Sequence, residues 1–350
     1  MRADDQYISA SSLCGLAEIL GGDWPRAAAM VADAGVDPAA LQRPDMVIPL
    51  RPYLMLLEQA AAETGRPDFG LEWAQVLEQV PIRWGTVLLI GYSSGSMREW
   101  IDRSRQYAAL ALSALTVEPA EAEATPGGVL TGVRISFDNF GIVPRQFAES
   151  TLALICGAVR MVGGADAGPA LVRFQHSAPA TIGRHRDVFG CPLEFGAGHS
   201  EILFRHAGLD EPVKANPHMF DRVLRACVRY RVDRLAQADA AYSDPALSGI
   251  VAQTIFALGG TGLVNTDVVA QSLGMTVKSL HRRLTAEDTG FAKILEQCRM
   301  DLARSHLRHS RASIGQIAGM LDYAGPAQFS SAFRRWTGLS PRDYRLQSED

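Results

Sequence analysis

The chain has 350 residues, 47% of them apolar, with 34 Lys and Arg against 38 Asp and Glu for a formal charge of −4. That length and apolar content suit two globular domains. No signal-peptide core follows Met1-Arg2-Ala3-Asp4-Asp5 and no apolar run approaches the ~20 residues needed to span a bilayer, so a soluble, cytoplasmic protein is expected.

Before about residue 112 the periodicity is helical, with segments over 24–34, 51–64, 69–78 and 97–112 separated by Gly-Gly, Gly-Arg-Pro and Val-Pro punctuation. From Ser113 the period shortens, and 115–121 with 129–137 reads as a hairpin around Thr125-Pro126-Gly127-Gly128. A helix over 145–162 follows, then strands near 171–174 and 201–204. The sum is an α+β N-terminal domain over residues 1–210, helix-rich with a small antiparallel sheet.

Several motifs in this half invite a chemical reading. Gly91-Tyr92-Ser93-Ser94-Gly95 matches the G-x-S-x-G of serine hydrolases, with apolar residues before it and a helix after it. The preceding strands and an oxyanion loop such as His-Gly-Gly-Gly are missing, so a turn between helices is preferred and a serine hydrolase kept as the alternative. His199-Ser200-Glu201 has the H-x-E of zinc deaminases without a following P-C-x-x-C. His176, His185 and His199 are therefore read as structural, and neither metal nor cofactor is expected. The five cysteines, Cys14, Cys156, Cys191, Cys227 and Cys298, show no zinc spacing and are read as reduced and mostly buried. Cys191 has only Arg184 and Arg186 as nearby basic residues in sequence, and packing is preferred to a redox role.

Residues 217–237 form a long helical stretch with Phe220, Val223, Leu224, Cys227, Val228, Val232 and Leu235 near one side and arginines between them. That stripe either couples domains or subunits, or buries against its own domain. The small, polar run 238–245 completes a connector over 211–245.

One pattern then occurs twice. Val269-Ala270-x-x-Leu273-Gly274-Met275 is followed by Leu280 and Leu284, and Ile317-Ala318-x-x-Leu321-Asp322-Tyr323 by Phe329 and Phe333. Each copy is a short helix with a small Ala that admits a close neighbour, a turn, and a second helix anchored by apolar residues four apart. These are helix-turn-helix units at 267–286 and 314–336 in an all-α domain over 246–346. Thr276 suits an N-cap and Pro326 a first turn. The uninterrupted helix over 291–309 joins them, a rod of roughly 28 Å at about 1.5 Å per residue. That span approaches the ~34 Å between successive major-groove faces. From residue 245 on, 12 Lys and Arg face 9 Asp and Glu, against 22 and 29 before it, so the positive half is where nucleic acid is expected.

Ala318-Gly319-Met320-Leu321-Asp322-Tyr323, Phe333-Arg334-Arg335-Trp336, Gly338, Ser340-Pro341 and Tyr344-Arg345 resemble the C-terminal signature of AraC/XylS-type transcription regulators. Upstream, Gly35-Val36-Asp37-Pro38, Phe69-Gly70-Leu71, the stretch 189–197 and Leu209-Asp210-Glu211-Pro212 are similar to the arabinose-binding-type effector domain of one branch of that family. The resemblance implies a sequence-specific regulator of double-stranded promoter DNA, controlled by a small-molecule effector that need not be a sugar, with RNA polymerase and a second copy of the chain as possible partners. An interaction protein that has lost DNA binding is a further alternative. The family often has Gly where this chain has Asp288 and Asp322, positions that call for a left-handed residue.

Within that reading Lys278, Ser279, His281, Arg282, Gln328 and Ser331 are the candidate base readers. Thr276, Arg283, Ser330, Arg334, Arg335 and Arg345 are the candidate phosphate contacts. Many relatives carry Arg at Ser331, so the first unit is expected to read more. For the effector, Trp84, Tyr92, Trp100, Tyr107, Phe137, Phe140 and Phe147 supply apolar walls, and Arg134 and Arg145 could meet a carboxylate.

Overall fold

The structure, a computed structural model, describes residues 6–42, 47–79, 85–111, 115–137, 143–164, 167–213, 217–238, 246–309 and 312–347. Strands β1 (Tyr7–Ser9) and β2 (Val47–Pro49) pair antiparallel around α1 (Leu16–Ile19) and α2 (Trp24–Asp33). Asp23 caps α2 by accepting from the Arg26 N–H at 3.0 Å. α3 (Leu50–Thr64) turns Tyr53, Leu54, Leu57 and Ala60 inward at helical spacing and stops at Gly65, whose φ of 64° a residue without Cβ adopts freely.

α4 (Phe69–Gln79), α5 (Gly85–Tyr92) and α6 (Met97–Ala111) follow, and α3, α4 and α5 all pack on α7 (Arg145–Gly163). Residues 146–154 of α7 are buried without a break, so this helix has no solvent stripe over that stretch. Gly70 sets how closely α4 approaches it. The Gly70 N–H donates to Gln146 Oε1 at 2.7 Å, and a Cβ there would run into the Gln146 carbonyl oxygen.

The sheet corrects the sequence expectation. β3 (Leu115–Pro119) and β4 (Glu123–Thr125) lie along one side of the ten-residue β5 (Gly128–Phe137), and the main path runs β3-β5-β8-β6-β7, with β6 (Leu171–Phe174), β7 (Leu193–Phe195) and β8 (Ser200–Arg205). It has six strands, and β6 and β7 pair parallel, with Val172 opposite Leu193. A parallel pair needs a crossover, which α8 (Gly183–Phe189) provides. The three-residue strands β4 and β7 are too short to show a period of two, which is why the sheet reads as smaller from sequence. The expected hairpin is present, with Thr125 opposite Gly128, but its first arm breaks at the buried Ala120. The family-like stretch after α8 has a local explanation: Gly190 ends the helix at φ 64°, and the Pro192 carbonyl accepts from Val172 N–H at 3.1 Å to start β7.

α9 (His206–Leu209) leads to α10 (Pro217–Ala238), whose Val223, Leu224, Cys227 and Val228 are buried and which packs on α5 and on α11 (Leu247–Leu258). These four residues of its apolar stripe are thus covered within the chain. The rest is helical: α12 (Thr266–Ser272), α13 (Val277–Ala286), α14 (Phe291–His309), α15 (Ile314–Met320), α16 (Pro326–Thr337) and α17 (Pro341–Gln347). Two separate cores divide this region. Leu280, Leu284, Phe291, Ile294 and Cys298 belong to a core continuous with the N-terminal half. Ala303, Leu307, Ile317, Ala318, Phe329 and Phe333 form a second. One helix, α14, therefore roots both units, its first half in one core and its second half in the other. Among the described residues no helix is long and apolar enough to cross a membrane.

Candidate nucleic-acid interface

The first unit is built as the sequence pattern requires. Asn265 caps α12, Gly274 makes the turn at φ 68°, and Thr276 Oγ1 accepts from Ser279 N–H at 3.2 Å to start α13. Val269 and Ala270 on α12 are buried against Leu280 and Leu284 on α13, which are fully enclosed. Fixing those two leucines inward leaves Lys278, His281, Arg282 and Arg283 exposed and Ser279 half-buried. Among the described residues no hydrogen bond or ion pair engages the side chains of Lys278, His281 or Arg282, so their donors are free for a partner. Arg283 approaches Met275 Sδ at 4.0 Å.

Glu287 fixes the unit to α11. Its carboxylate accepts from the Leu247 and Ser248 N–H groups at 2.9 Å each. Burial pulls this carboxyl upward, but those hydrogen bonds and the charge of Arg283 outweigh it and hold it below its ordinary value. Asp288 follows at φ 53° and ends the segment in the left-handed conformation.

The second unit opens with a complete capping box, Ser313 Oγ accepting from Gln316 N–H at 3.1 Å and Gln316 Oε1 from Ser313 N–H at 2.7 Å. Asp322 makes its turn at φ 55°, as expected where the family favours glycine. Its carboxylate also accepts from Gly262 N–H at 3.1 Å, across 60 positions of the chain. Pro326 starts α16, Phe329, Ala332 and Phe333 are buried, and Gln328, Ser331, Arg334 and Arg335 are exposed, with Ser330 half-buried.

Not every candidate on this side is free. Arg335 reaches Glu296 Oε1 on α14 at 2.7 Å, alongside Trp336 Nε1 at the same distance, and these bonds hold the Glu296 carboxyl below its ordinary value. Arg345 donates to the Ala312 carbonyl at 2.6 Å, and Ser331 Oγ to Ala327 O at 3.0 Å within its own helix. α16 thus offers fewer uncommitted donors than α13.

The effector candidates are placed less completely. Trp84 and Phe140 lie outside the described residues, as do the side chains of Tyr107 and Phe137. Tyr92, Trp100 and Phe147 are buried in the core. Arg134 pairs with Glu201 at 3.2 Å, and Arg145 with Asp68 at 3.1 Å and Glu149 at 2.7 Å, so both guanidinium groups already hold carboxylates of the chain. In the 91–95 turn, Ser93 and Ser94 both donate to the Ile90 carbonyl and receive Arg103. No histidine reaches either serine among the described residues. His199 is exposed and Glu201 is bound to Arg134 and Arg173. Burial pushes the Cys191 thiol up to about 11, away from the reactive thiolate.

A two-copy helix-turn-helix rooted on one shared helix, behind a helix-rich half carrying a six-stranded sheet, is the arrangement to which known families compare. The model of the arabinose-binding domain of AraC transcription regulators matches residues 26–213, more than half of the chain, and a helix-turn-helix domain model matches residues 269–347. The chain belongs to the AraC/XylS family of transcription regulators. Among curated AraC/XylS-type relatives, the HTH-type transcriptional regulator VirS of Mycobacterium tuberculosis is 25% identical over 319 residues, 89% of this chain and 88% of VirS. The HTH-type transcriptional activator RhaS of Escherichia coli is 39% identical over 84 residues, 23% of this chain and 30% of RhaS. The solved structure of transcriptional regulator CdpR from Pseudomonas aeruginosa covers 93% of this regulator and 98% of its own chain at 21% identity, with a TM-score of 0.37.

Proposed function

We propose that this regulator reads its operator chiefly through α13, with Lys278, Ser279, His281 and Arg282 addressing base edges in one major groove and Gln328 and Ser331 of α16 adding a weaker contribution in the next. Thr276, Arg283, Ser330 and Arg334 take phosphates, while Arg335 and Arg345 serve first to hold α16 and α17 in place. The observation that carries this reading is the free state of Lys278, His281 and Arg282, exposed on a helix whose opposite side is fixed by two fully buried leucines. Residues 1–210 act as the sensing unit, 211–245 as the connector and 246–346 as the DNA-binding unit. Serine chemistry at Ser93 plays no part, since that hydroxyl is committed to a helix end and to Arg103. The work is done in the cytoplasm, with RNA polymerase as the downstream partner and a second copy of the chain adding affinity to a modest positive balance. Footprinting on the DNA upstream of its own gene tests the reading. Protection of two adjacent major grooves on one side of the duplex is expected, and absence of any protected segment at low salt would overturn it.

A further inference from the structure

A cluster of ionisable side chains lies in the core of the N-terminal half, apart from both reading helices. Asp68 precedes α4, Arg145 and Glu149 are one turn apart on α7, His176 follows β6 and His185 is on α8. The side chains of Glu149 and His185 are completely buried and that of His176 is nine-tenths buried. Glu149 Oε1 is 2.8 Å from His185 Nε2 and 3.6 Å from His176 Nε2. One donor atom each from Asp68, Glu149 and His185 falls within 4.8 Å of the others.

Arg145 explains only part of this arrangement. His176 Nδ1 sits 3.0 Å from the Ser177 carbonyl, which can only accept, so Nδ1 carries a proton and Nε2 is the nitrogen turned toward the Glu149 carboxylate. Among the described residues that Nε2 has no hydrogen-bond partner, and neither have Glu149 Oε2 and His185 Nδ1. Unpartnered nitrogen and oxygen atoms this deep in the core are costly, and a cation between them would satisfy both. The charges point the same way, since Asp68 and Glu149 bring two negative charges against one on Arg145. Water is kept out by rings: Phe174 lies 5.0 Å from the His176 ring and 5.9 Å from that of His185, and Phe195 lies 5.7 Å from each.

We propose that Glu149, His176, His185 and Asp68 bind a divalent transition metal ion of the zinc class. Two imidazoles with carboxylates suit Zn²⁺, Ni²⁺ or Co²⁺ and are too poor in oxygen for Ca²⁺ or Mg²⁺. The Ser177 carbonyl behind His176 is the outer contact that orients such a ligand. Arg145 is a quarter exposed and stands at the first turn of α7, so it can yield Asp68 to the ion while its head turns toward solvent. The ion ties α7 to α8 and to the segment after β6, which stabilises the sensing half independently of DNA reading.

The test uses the full chain, stripped with EDTA and dialysed separately against Zn²⁺, Ni²⁺ and Co²⁺. Mass spectrometry is expected to find one ion per chain, with a rise in Tm, and both are lost in His176→Gln and His185→Gln. Because Glu149→Gln removes a fully buried partner and can unfold the chain, His176→Gln at the rim of the cluster is the deciding variant. The Co²⁺ protein should show d–d bands without a thiolate charge-transfer band. Three results would each overturn the proposal: no more metal than a buffer blank, metal retained by the His176→Gln variant, or a thiolate band placing the ion on cysteine.

Discussion

The guanidinium of Arg103 on α6 donates to the carbonyl oxygen of Thr261, in the loop that leads into the first helix-turn-helix, at 2.7 Å. The same group donates to Ser93 O, Ser93 Oγ and Ser94 Oγ at 3.3, 3.2 and 3.3 Å, so the turn with the hydrolase-like sequence is an anchor. Gly262, the next residue of that loop, donates to Asp322 in the second unit, whose main-chain carbonyl in turn receives Arg299 at 3.4 Å. α6 also packs on α15. α6 is thus joined through Arg103 to the loop that starts one reading unit, and through Gly262 to the turn of the other.

Removing Arg103 leaves the buried Thr261 segment and two serine hydroxyls without their charged donor. Arg103→Ala is expected to lose about 1–3 kcal/mol of stability, read as a lower urea midpoint at unchanged slope. Arg98→Ala, whose partner Asp210 is 63% exposed, should change it by less than about 1 kcal/mol. Equal losses in the two variants would contradict the assigned role.

Gly70 has no room for a side chain against the Gln146 backbone. Gly70→Ala should destabilise by about 1–3 kcal/mol or more, because backbone rather than a flexible side-chain end must move. Gly183→Ala, with open space around the added methyl, should be neutral or slightly stabilising. Thermal unfolding of the two variants side by side checks this, and a Gly70→Ala protein as stable as the parent would show that α4 and α7 pack differently.

Burial is the largest influence on Asp322 and raises its carboxyl above the ordinary 3.8, against the pull of Arg299, the Gly262 N–H and Arg103. The folded chain thus holds this proton more tightly than the unfolded chain. The group's contribution to stability is fully present below the unfolded value and is lost as pH rises through the folded one. Asp322→Asn keeps an acceptor for Gly262 and tolerates a φ of 55° while removing the charge. Its Tm should exceed that of the parent at pH 7, with the gain vanishing below about pH 4. A lower Tm at pH 7 would contradict the account.

Local packing was legible in the sequence, and distant pairing was not. Ala270, Leu280 and Leu284, or Ala318, Phe329 and Phe333, lie within a few turns of one another, so their spacing alone encodes the two units and which faces they bury. Asp288 and Asp322 were legible through the family resemblance, which favours Gly at both positions, and they are the two residues other than glycine with positive φ among those described. The link from Arg103 to Thr261 spans 158 positions and that from Arg145 to Asp68 spans 77, separations at which composition and period carry no trace of a partner. Arg134, Arg145, Arg335 and Arg345 all look like available cations in one dimension, and only the fold shows what each already holds. The parallel pair of β6 and β7 escaped because three residues cannot display an alternation and α8 is seven residues long.

Base reading by Arg282 is the claim on which the functional account turns. Fluorescence anisotropy of the parent and Arg282→Ala proteins, on the footprinted operator and on duplexes substituted one base pair at a time, tests it directly. The account predicts a loss of about 5- to 150-fold on the native operator, equivalent to about 1–3 kcal/mol. It also predicts that at one base pair the substitution and the variant are no worse together than either alone. A loss of the same size on every duplex, specific and non-specific alike, would make Arg282 a phosphate contact and contradict the reading.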